Sequence, residues 1–425
     1  MLLGVIADDF TGATDIAGFL VENGMRTVQL NGIPKEENGI PKEEIDVNAD
    51  AVVISLKSRS CPVDEAIEDS VAALKWLQAN GCQQFYFKYC STFDSTAEGN
   101  IGPVTDALLA ELGEAFTIVC PSLPVNGRTV YNGHLFVFQD LLSDSGMRNH
   151  PVTPMTDSSL VRMMDAQSQG KSGLVNFQII EQGPKAVIGR FEELKVQGNR
   201  YAVVDAFNAE HLVTLGQAAK SLKLVTGGSG LAAGIAKNWI ENLEDQSDAK
   251  QEGNPKKAPT VVLSGSCSVM TNQQVAVYKE KAPHFAIDVK ACLTEEDYLN
   301  QVFDWVMTNI ESEFAPLVYA TADAAALKAI QQEFGAHASS HAVEQFFSQL
   351  AVKLQQNGVK NFIVAGGETS GVVTQSLAVK GFHIGPQIAP GVPWVKSLEG
   401  ELSLALKSGN FGDEHFFAKA QSFFE

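Results

Sequence analysis

The chain has 425 residues, 45% of them hydrophobic and 19% charged, which is the length of two domains and the composition of an ordinary globular enzyme. Its 31 basic and 50 acidic residues leave a net charge of −19, which argues against nucleic acid or an anionic membrane surface as a partner. Six scattered cysteines with no CxxC pair read as reduced thiols of a cytoplasmic protein.

The chain opens on MLLGVIADDF, which has no basic region and an apolar run too short for a signal peptide or a membrane span. It reads as a buried strand over 2–7, followed by a helix over 11–23. Asp8 and Asp9 therefore fall at the carboxyl end of a strand, where open α/β sheets bind ligands. One carboxylate can orient or deprotonate a substrate hydroxyl. The other reading is that Asp9 or Thr11 only caps the helix, and both can hold together. NGIPKEE then occurs twice in tandem, over 31–37 and 38–44, and is expected to lengthen a surface loop.

Strand 50–56 and helix 63–80 follow, with Arg59 between them as a candidate cation. Strand 85–89 leads into YFKYCSTFDSTAEGNIGP. There Lys88 can balance a carboxylate or phosphate, while Asp94, Ser95 and Thr96 can hydrogen-bond a polyol. Capping of the helix over 101–112 is the bland alternative for the hydroxyls. Strand 116–120 precedes PSLPVNGRTVYNGHLF, which places Arg128 and His134 after a strand end. Strand 201–205, helix 210–222, strand 224–226 and helix 231–243 complete an alternation that implies mostly parallel sheets with helices on both faces. VTGGSGLAAG, at the start of the last helix, reads equally well as tight packing or as a ligand turn.

The stretch EDQSDAKQEGNPKKAP, 244–259, lacks aromatic and branched aliphatic residues and is expected to be an exposed linker between a domain over 1–243 and one over 260–425. Alternation then resumes. Strands are expected at 260–264, 285–289, 317–321 and 362–365, and helices at 271–281, 295–312, 324–334, 341–357 and 371–379. Three glycine turns mark this half: VVLSGSCS, NFIVAGGETSG and LALKSGNFG. Glycine permits close approach of backbone to phosphate, and N–H groups at a helix start point at the anion. None is a Walker A loop, since no Gly-Lys-Ser/Thr follows. No GxGxxG with a following acid supports a dinucleotide dehydrogenase.

Together these motifs resemble the four-carbon acid sugar kinase family. ADDFTGATD is similar to the family's opening, and KYCSTFDSTAEGNIGPV to the middle motif of its 3-oxo-tetronate kinase branch. LSGSCSVMTNQQ, GGETSGVV, GPQIAPGVPW and ALKSGNFG resemble its nucleotide-binding motifs. The resemblance implies two α/β domains, each a mostly parallel sheet flanked by helices. It implies transfer of phosphate from ATP to the 4-hydroxyl of 3-dehydrotetronate, with threonate or erythronate kinases and a non-catalytic sugar-acid binder as alternatives. Asp8 or Asp94 would be the base. Asp9, Arg59, Lys88, Ser95, Thr96 and Arg128 would hold the acid sugar. Gly366, Gly367 and Gly409 with Ser264, Thr369 and Ser370 would cradle the nucleotide. Mg²⁺ would be held mostly by phosphate and water, with Glu368 a further contact. Oligomeric state stays open, a homo-oligomer included.

Overall fold

The computed structural model describes residues 1–34, 49–150, 153–240, 249–321 and 335–424. The chain divides into two compact units, Met1–Ala249 and Lys250–Glu425. The second copy of the tandem loop, the helix expected at 324–334 and positions 244–248 of the expected linker lie outside the described residues.

The first unit carries strands β1 (Leu3–Ala7), β2 (Thr27–Asn31), β3 (Ala51–Ser55), β4 (Gln84–Lys88) and β5 (Thr117–Cys120). A hairpin of β6 (Arg128–Tyr131), β7 (His134–Val137) and β8 (Asp140–Leu141) follows, then β9 (Ser172–Val175), β10 (Tyr201–Val204) and β11 (Leu224–Gly227). The main sheet runs β2-β3-β1-β4-β11-β5-β10-β9 and is parallel throughout. LGVIA, AVVIS and QFYFK are buried along their whole length, as strands covered on both faces must be. The chain passes from β1 to β2 and β3 on one side, then to β4 on the other. The carboxyl end of β1 is thus a topological switch point.

The second unit carries β12 (Thr260–Ser264), β13 (His284–Ala286), β14 (Leu317–Tyr319), β15 (Asn361–Ala365), β16 (Gly381–Ala389), β17 (Val392–Ser397) and β18 (Ser403–Lys407). Its order is β13-β14-β12-β15-β18-β17-β16, with the last two strands antiparallel. Here the switch point lies at β12, between β14 and β15.

Several boundaries differ from the sequence reading, among them the helix expected at 341–357, which runs Ala336–Gln356, and two have a clear local reason. The strand expected over 285–289 ends at Ala286, because the Asp288 carboxylate accepts from Lys290 N and Ala291 N and starts a helix. The helix expected from 371 begins at Gly367, directly on the glycine turn. Within the expected linker, Gln251–Gly253 forms a 3-10 turn, and a Cβ on Gly253 would lie 2.1 Å from Gly385 N. Gly253 is thus packed against β16, while Gln251, Glu252, Lys256 and Lys257 are exposed as expected.

The VTGGSGLAAG glycines are packing glycines. Helices Ala209–Ala218 and Gly230–Ile240 cross where a Cβ on Gly216 would sit 2.2 Å from the Gly234 carbonyl carbon. Gly216→Ala is expected to destabilise the first unit by about 1–3 kcal/mol, toward the upper end because rigid backbone must move. Urea unfolding checks this; an unchanged midpoint would show that the two helices can separate freely.

Candidate active site

At the carboxyl end of β1, Asp8 is 4% exposed and its backbone is held from both sides. Asp8 N donates to Lys88 O at 3.0 Å, while Ser58 N and Arg59 N donate to Asp8 O at 3.0 and 3.2 Å. The loop after β3 is thereby locked over the switch point. Asn100 Nδ2 fastens it again through Ser58 O at 2.8 Å and Cys61 O at 2.9 Å.

This frame aims Arg59 at two acids. Its Nε and Nη2 donate to Asp8 Oδ2 and Oδ1 at 2.9 and 2.8 Å, and Nη2 also reaches Asp9 Oδ1 at 2.7 Å. Asp9 caps helix Phe10–Glu22, accepting from Gly12 N at 3.1 Å and from Thr11 Oγ1 at 2.8 Å. The capping role and the charge pairing thus coexist in one side chain. Lys88 is 3% exposed and donates to Tyr89 O at 2.8 Å. A Cβ on Gly12 would sit 2.2 Å from Asp9 Oδ1 and 3.0 Å from Lys88 Nζ, so the close approach of these groups requires glycine there.

Burial raises the Asp8 carboxyl, opposed by Arg59. Burial also works to raise Asp9, but the charges of Arg59 and Lys88 prevail and hold it below the ordinary range. Asp15, on the same helix, is raised by burial and accepts from Ser229 Oγ, with Lys88 opposing the shift. The sequence reading missed Asp15, Asn100 and Ser229. Asp15 closes the ADDFTGATD motif, and its i, i+7 spacing from Asp8 was the available signal.

A cleft is lined by Asp8, Ser58, Arg59, Asp94, Ser95 and Asn100. Asp94 is displayed there by the CSTF segment. Phe93 N donates to Cys90 O at 3.0 Å, closing a turn, and Phe93 has φ 50°, in the left-handed region. Its fully buried ring, edge-on to Tyr89 with centroids 5.6 Å apart, holds that strained backbone. Thr92 Oγ1 donates to Asp94 Oδ1 at 2.6 Å and lies 2.9 Å from Cys90 Sγ.

Ser95 lines the cleft, but its Oγ donates to Gln167 Oε1 at 2.9 Å and the residue is 1% exposed. The other expected residues are placed differently. Thr96 accepts from Glu98 N in a local turn. Arg128 lies on the hairpin, donating to Asn126 O and covering the Phe138 ring at 5.6 Å. His134 Nδ1 contacts Asn132 O at 2.9 Å. Neither Arg128, Thr96 nor His134 lines the cleft.

In the second unit the three glycine turns meet at the ends of β12, β15 and β18. A Cβ on Gly265 would lie 2.2 Å from Thr369 Oγ1, one on Gly366 3.3 Å from Ser266 N, and one on Gly409 2.8 Å from Ser266 Oγ. Gly366 also has φ 122°. Gly367 differs: it is exposed, and a Cβ there would meet nothing within 4 Å. It begins helix Gly367–Ser376, whose first N–H groups have no partner within the helix. Space and donors for an anion therefore coincide, and the residues present fit a nucleotide phosphate chain.

Glu368 is exposed beside it, and Thr369 Oγ1 fills the gap between the first two turns. Ser264 is wholly buried with Oγ 2.7 Å from Thr321 Oγ1, and Ser370 is wholly buried as well, so neither hydroxyl faces the open space over Gly367. Lys407, which the sequence reading passed over, is the side chain that links the turns. Its Nζ donates to Thr271 Oγ1, Ser408 O and Gly409 O at 2.9, 3.1 and 2.8 Å. Among the described residues no group of three or more His, Cys, Asp or Glu side chains converges to hold a metal ion.

A carboxylate-and-arginine cleft in one unit and a glycine cradle in the next define a two-domain protein that handles a small polar substrate and a nucleotide. Residues 3–235 match the sugar-binding N-terminal domain family, and residues 261–417 the nucleotide-binding C-terminal domain family. The chain is 59% identical over 422 residues to a 3-oxo-tetronate kinase of Brucella melitensis, covering 99% of this chain and 95% of that one. It is 59% identical over 426 residues to the 3-oxo-tetronate kinase of Pectobacterium atrosepticum, covering 99% of each. The crystal structure of a Haemophilus influenzae protein matches with a TM-score of 0.87 at 58% identity, covering 99% of this chain and 100% of that one. The chain belongs to the four-carbon acid sugar kinase family, in its 3-oxo-tetronate kinase branch.

Proposed function

We propose that this protein transfers the γ-phosphoryl group of ATP to the terminal 4-hydroxyl of a 3-dehydrotetronate. The observation that carries the reading is the cleft at the β1 switch point, where Arg59 and Asp94 face the same space. The relatives bearing the 3-oxo-tetronate kinase name share this chain's full length.

In this reading the hydroxyl oxygen attacks the γ-phosphorus, its proton passes to a carboxylate, and the bond to the β-phosphate oxygen breaks to release ADP. Asp94 takes the proton. Both oxygens of Asp8 accept from Arg59, so Asp8 orients the guanidinium that meets the substrate's acid group. Lys88 sets the local charge balance beside Asp9. The turns over Gly366, Gly367 and Gly409 hold the phosphate chain. A divalent cation, Mg²⁺, supplies charge neutralisation there; phosphate oxygens and water would hold it, with Glu368 the nearest acid in the turn. All six cysteines are free thiols, and a cytoplasmic location belongs to the same reading. Among the described residues no helix is long and apolar enough to cross a membrane.

An ADP-release assay over four-carbon acid sugars tests the assignment. Turnover is expected with a 3-dehydrotetronate and not with threonate or erythronate. Binding of the sugar with no ADP release from any member of the panel would make the protein a sugar-acid binder instead.

A further inference from the structure

Lys407 is a lysine of the second unit buried among oxygens that carry no formal charge. Its side chain has 0% exposure, and burial pushes its pKa down to about 7. None of the oxygens it reaches belongs to a carboxylate; they are two carbonyls and a hydroxyl. An ammonium has three N–H donors, and here all three have acceptors; a neutral amine would leave one acceptor unmatched. Burying a charge without a counter-charge is costly, and an apolar side chain of similar length would avoid that cost. A lysine at this position therefore needs a reason other than stability.

The position supplies one. Lys407 O accepts from Gly366 N at 2.9 Å, which ties the end of β18 to the second glycine turn. The side chain ties the same residue to Gly409 in the third turn and to Thr271 in the helix that follows the first. Thr271 Oγ1 in turn donates to Gly409 O at 2.7 Å and accepts from Ser268 Oγ at 3.0 Å. All three turns thus meet on one residue. It is also the single basic residue in VVLSGSCS, NFIVAGGETSG and LALKSGNFG together. A triphosphate held by these turns, in a chain of net charge −19, needs a local cation.

We propose that Lys407 is the positioning residue of the nucleotide site: its ammonium fixes the third turn against the helix start at Thr271 and supplies the positive potential under the bound phosphates. The proposal rests on the nucleotide reading of the three turns. The ammonium acts from behind the backbone, since its three donors are already engaged.

The test is ADP titration by calorimetry on the full chain, with thermal unfolding alongside. Lys407→Met is expected to weaken ADP by at least about tenfold while Tm stays level or rises, because a buried charge has been removed. A purely structural lysine gives the reverse, a lowered Tm with ADP affinity kept, and that result overturns the proposal. Thr271→Val removes the hydroxyl without touching the lysine and is expected to weaken ADP as well; Thr271→Ser restores binding. If Lys407→Met does not fold, unchanged ADP affinity in Thr271→Val overturns the proposal by itself. Gly367→Val separates the two levels. Lost ADP binding there with unchanged binding in Lys407→Met refutes the lysine role alone. Unchanged binding in Gly367→Val refutes the nucleotide reading.

Discussion

Asp94→Asn is expected to lower kcat by about 10²–10⁴-fold, the range for loss of a general base, with ADP affinity and Tm unchanged. Asp94 is half-buried and shares its cleft with Arg59. One oxygen accepts from Thr92, which fixes the carboxylate's direction. Asparagine keeps that acceptor and the side-chain volume, so the fold has no reason to change. Asp8→Asn is a different experiment. It leaves Arg59 half-paired in a largely buried setting, where breaking one partner of an ion pair costs about 3–5 kcal/mol. Its main readouts are thus a lowered Tm and a raised KM for the acid sugar, the mark of lost uniform binding. Steady-state kinetics on the two variants separates base from holder. If Asp94→Asn keeps kcat within about threefold of wild type, the proton goes elsewhere and Asp8 is the remaining carboxylate of the cleft.

The contrast between these acids shows what one sequence discloses. ADD after an apolar run placed both carboxylates at a strand end, because a buried parallel strand reads as an unbroken hydrophobic run and its polar residues mark where it surfaces. Which acid would be engaged by Arg59 was not legible, since Arg59 arrives from another strand 50 residues on and only the sheet order β3-β1 brings it there. The role of the CSTF segment was not visible in the sequence beyond its place in the middle motif. Its strained Phe93 and the Thr92 bond to Asp94 are tertiary facts.

The hydroxyls show a different limit of the sequence. Ser264 and Ser370 lie in the right motifs, yet both side chains are buried. One residue of phase on a strand, or one turn of helix, decides which side a hydroxyl faces. Starting the helix at Gly367 rather than 371 puts Ser370 in its first turn and Gly367 at its open end. The meander at β16 and β17 was missed because Pro386, Pro393 and Gly391 break the strand pattern; such residues belong at edges and bulges, and the pairing of these strands shifts register on both sides of Gln387. Lys407 was passed over for a simpler reason. A lysine after an apolar run looks like a strand surfacing, and only the structure shows it wholly buried.

Gly367→Val is expected to abolish ATP and ADP binding while leaving Tm within about 3 °C of wild type. The two halves of that expectation have separate causes. Gly366 has φ 122°, so any side chain there strains the backbone, and a Cβ on Gly409 would press on Ser266 and Ser268. Substitution at either would mix a folding defect with a binding defect. Gly367 has neither problem, since its φ is not in the left-handed region and its Cβ would enter open space. Valine in the first turn of a helix costs only a few tenths of a kcal/mol in propensity relative to other residues. What it does occupy is the volume over the N–H groups of helix Gly367–Ser376, which phosphate oxygens must enter to be bound. A side chain there displaces the anion without disturbing the protein. The acid-sugar cleft lies in the other unit, so sugar binding is expected to persist in the same variant. Calorimetry with ADP and with the acid sugar reads both. Retained ADP affinity in Gly367→Val would place the nucleotide away from the turn after β15, and the convergence of the three glycine turns would then be packing alone.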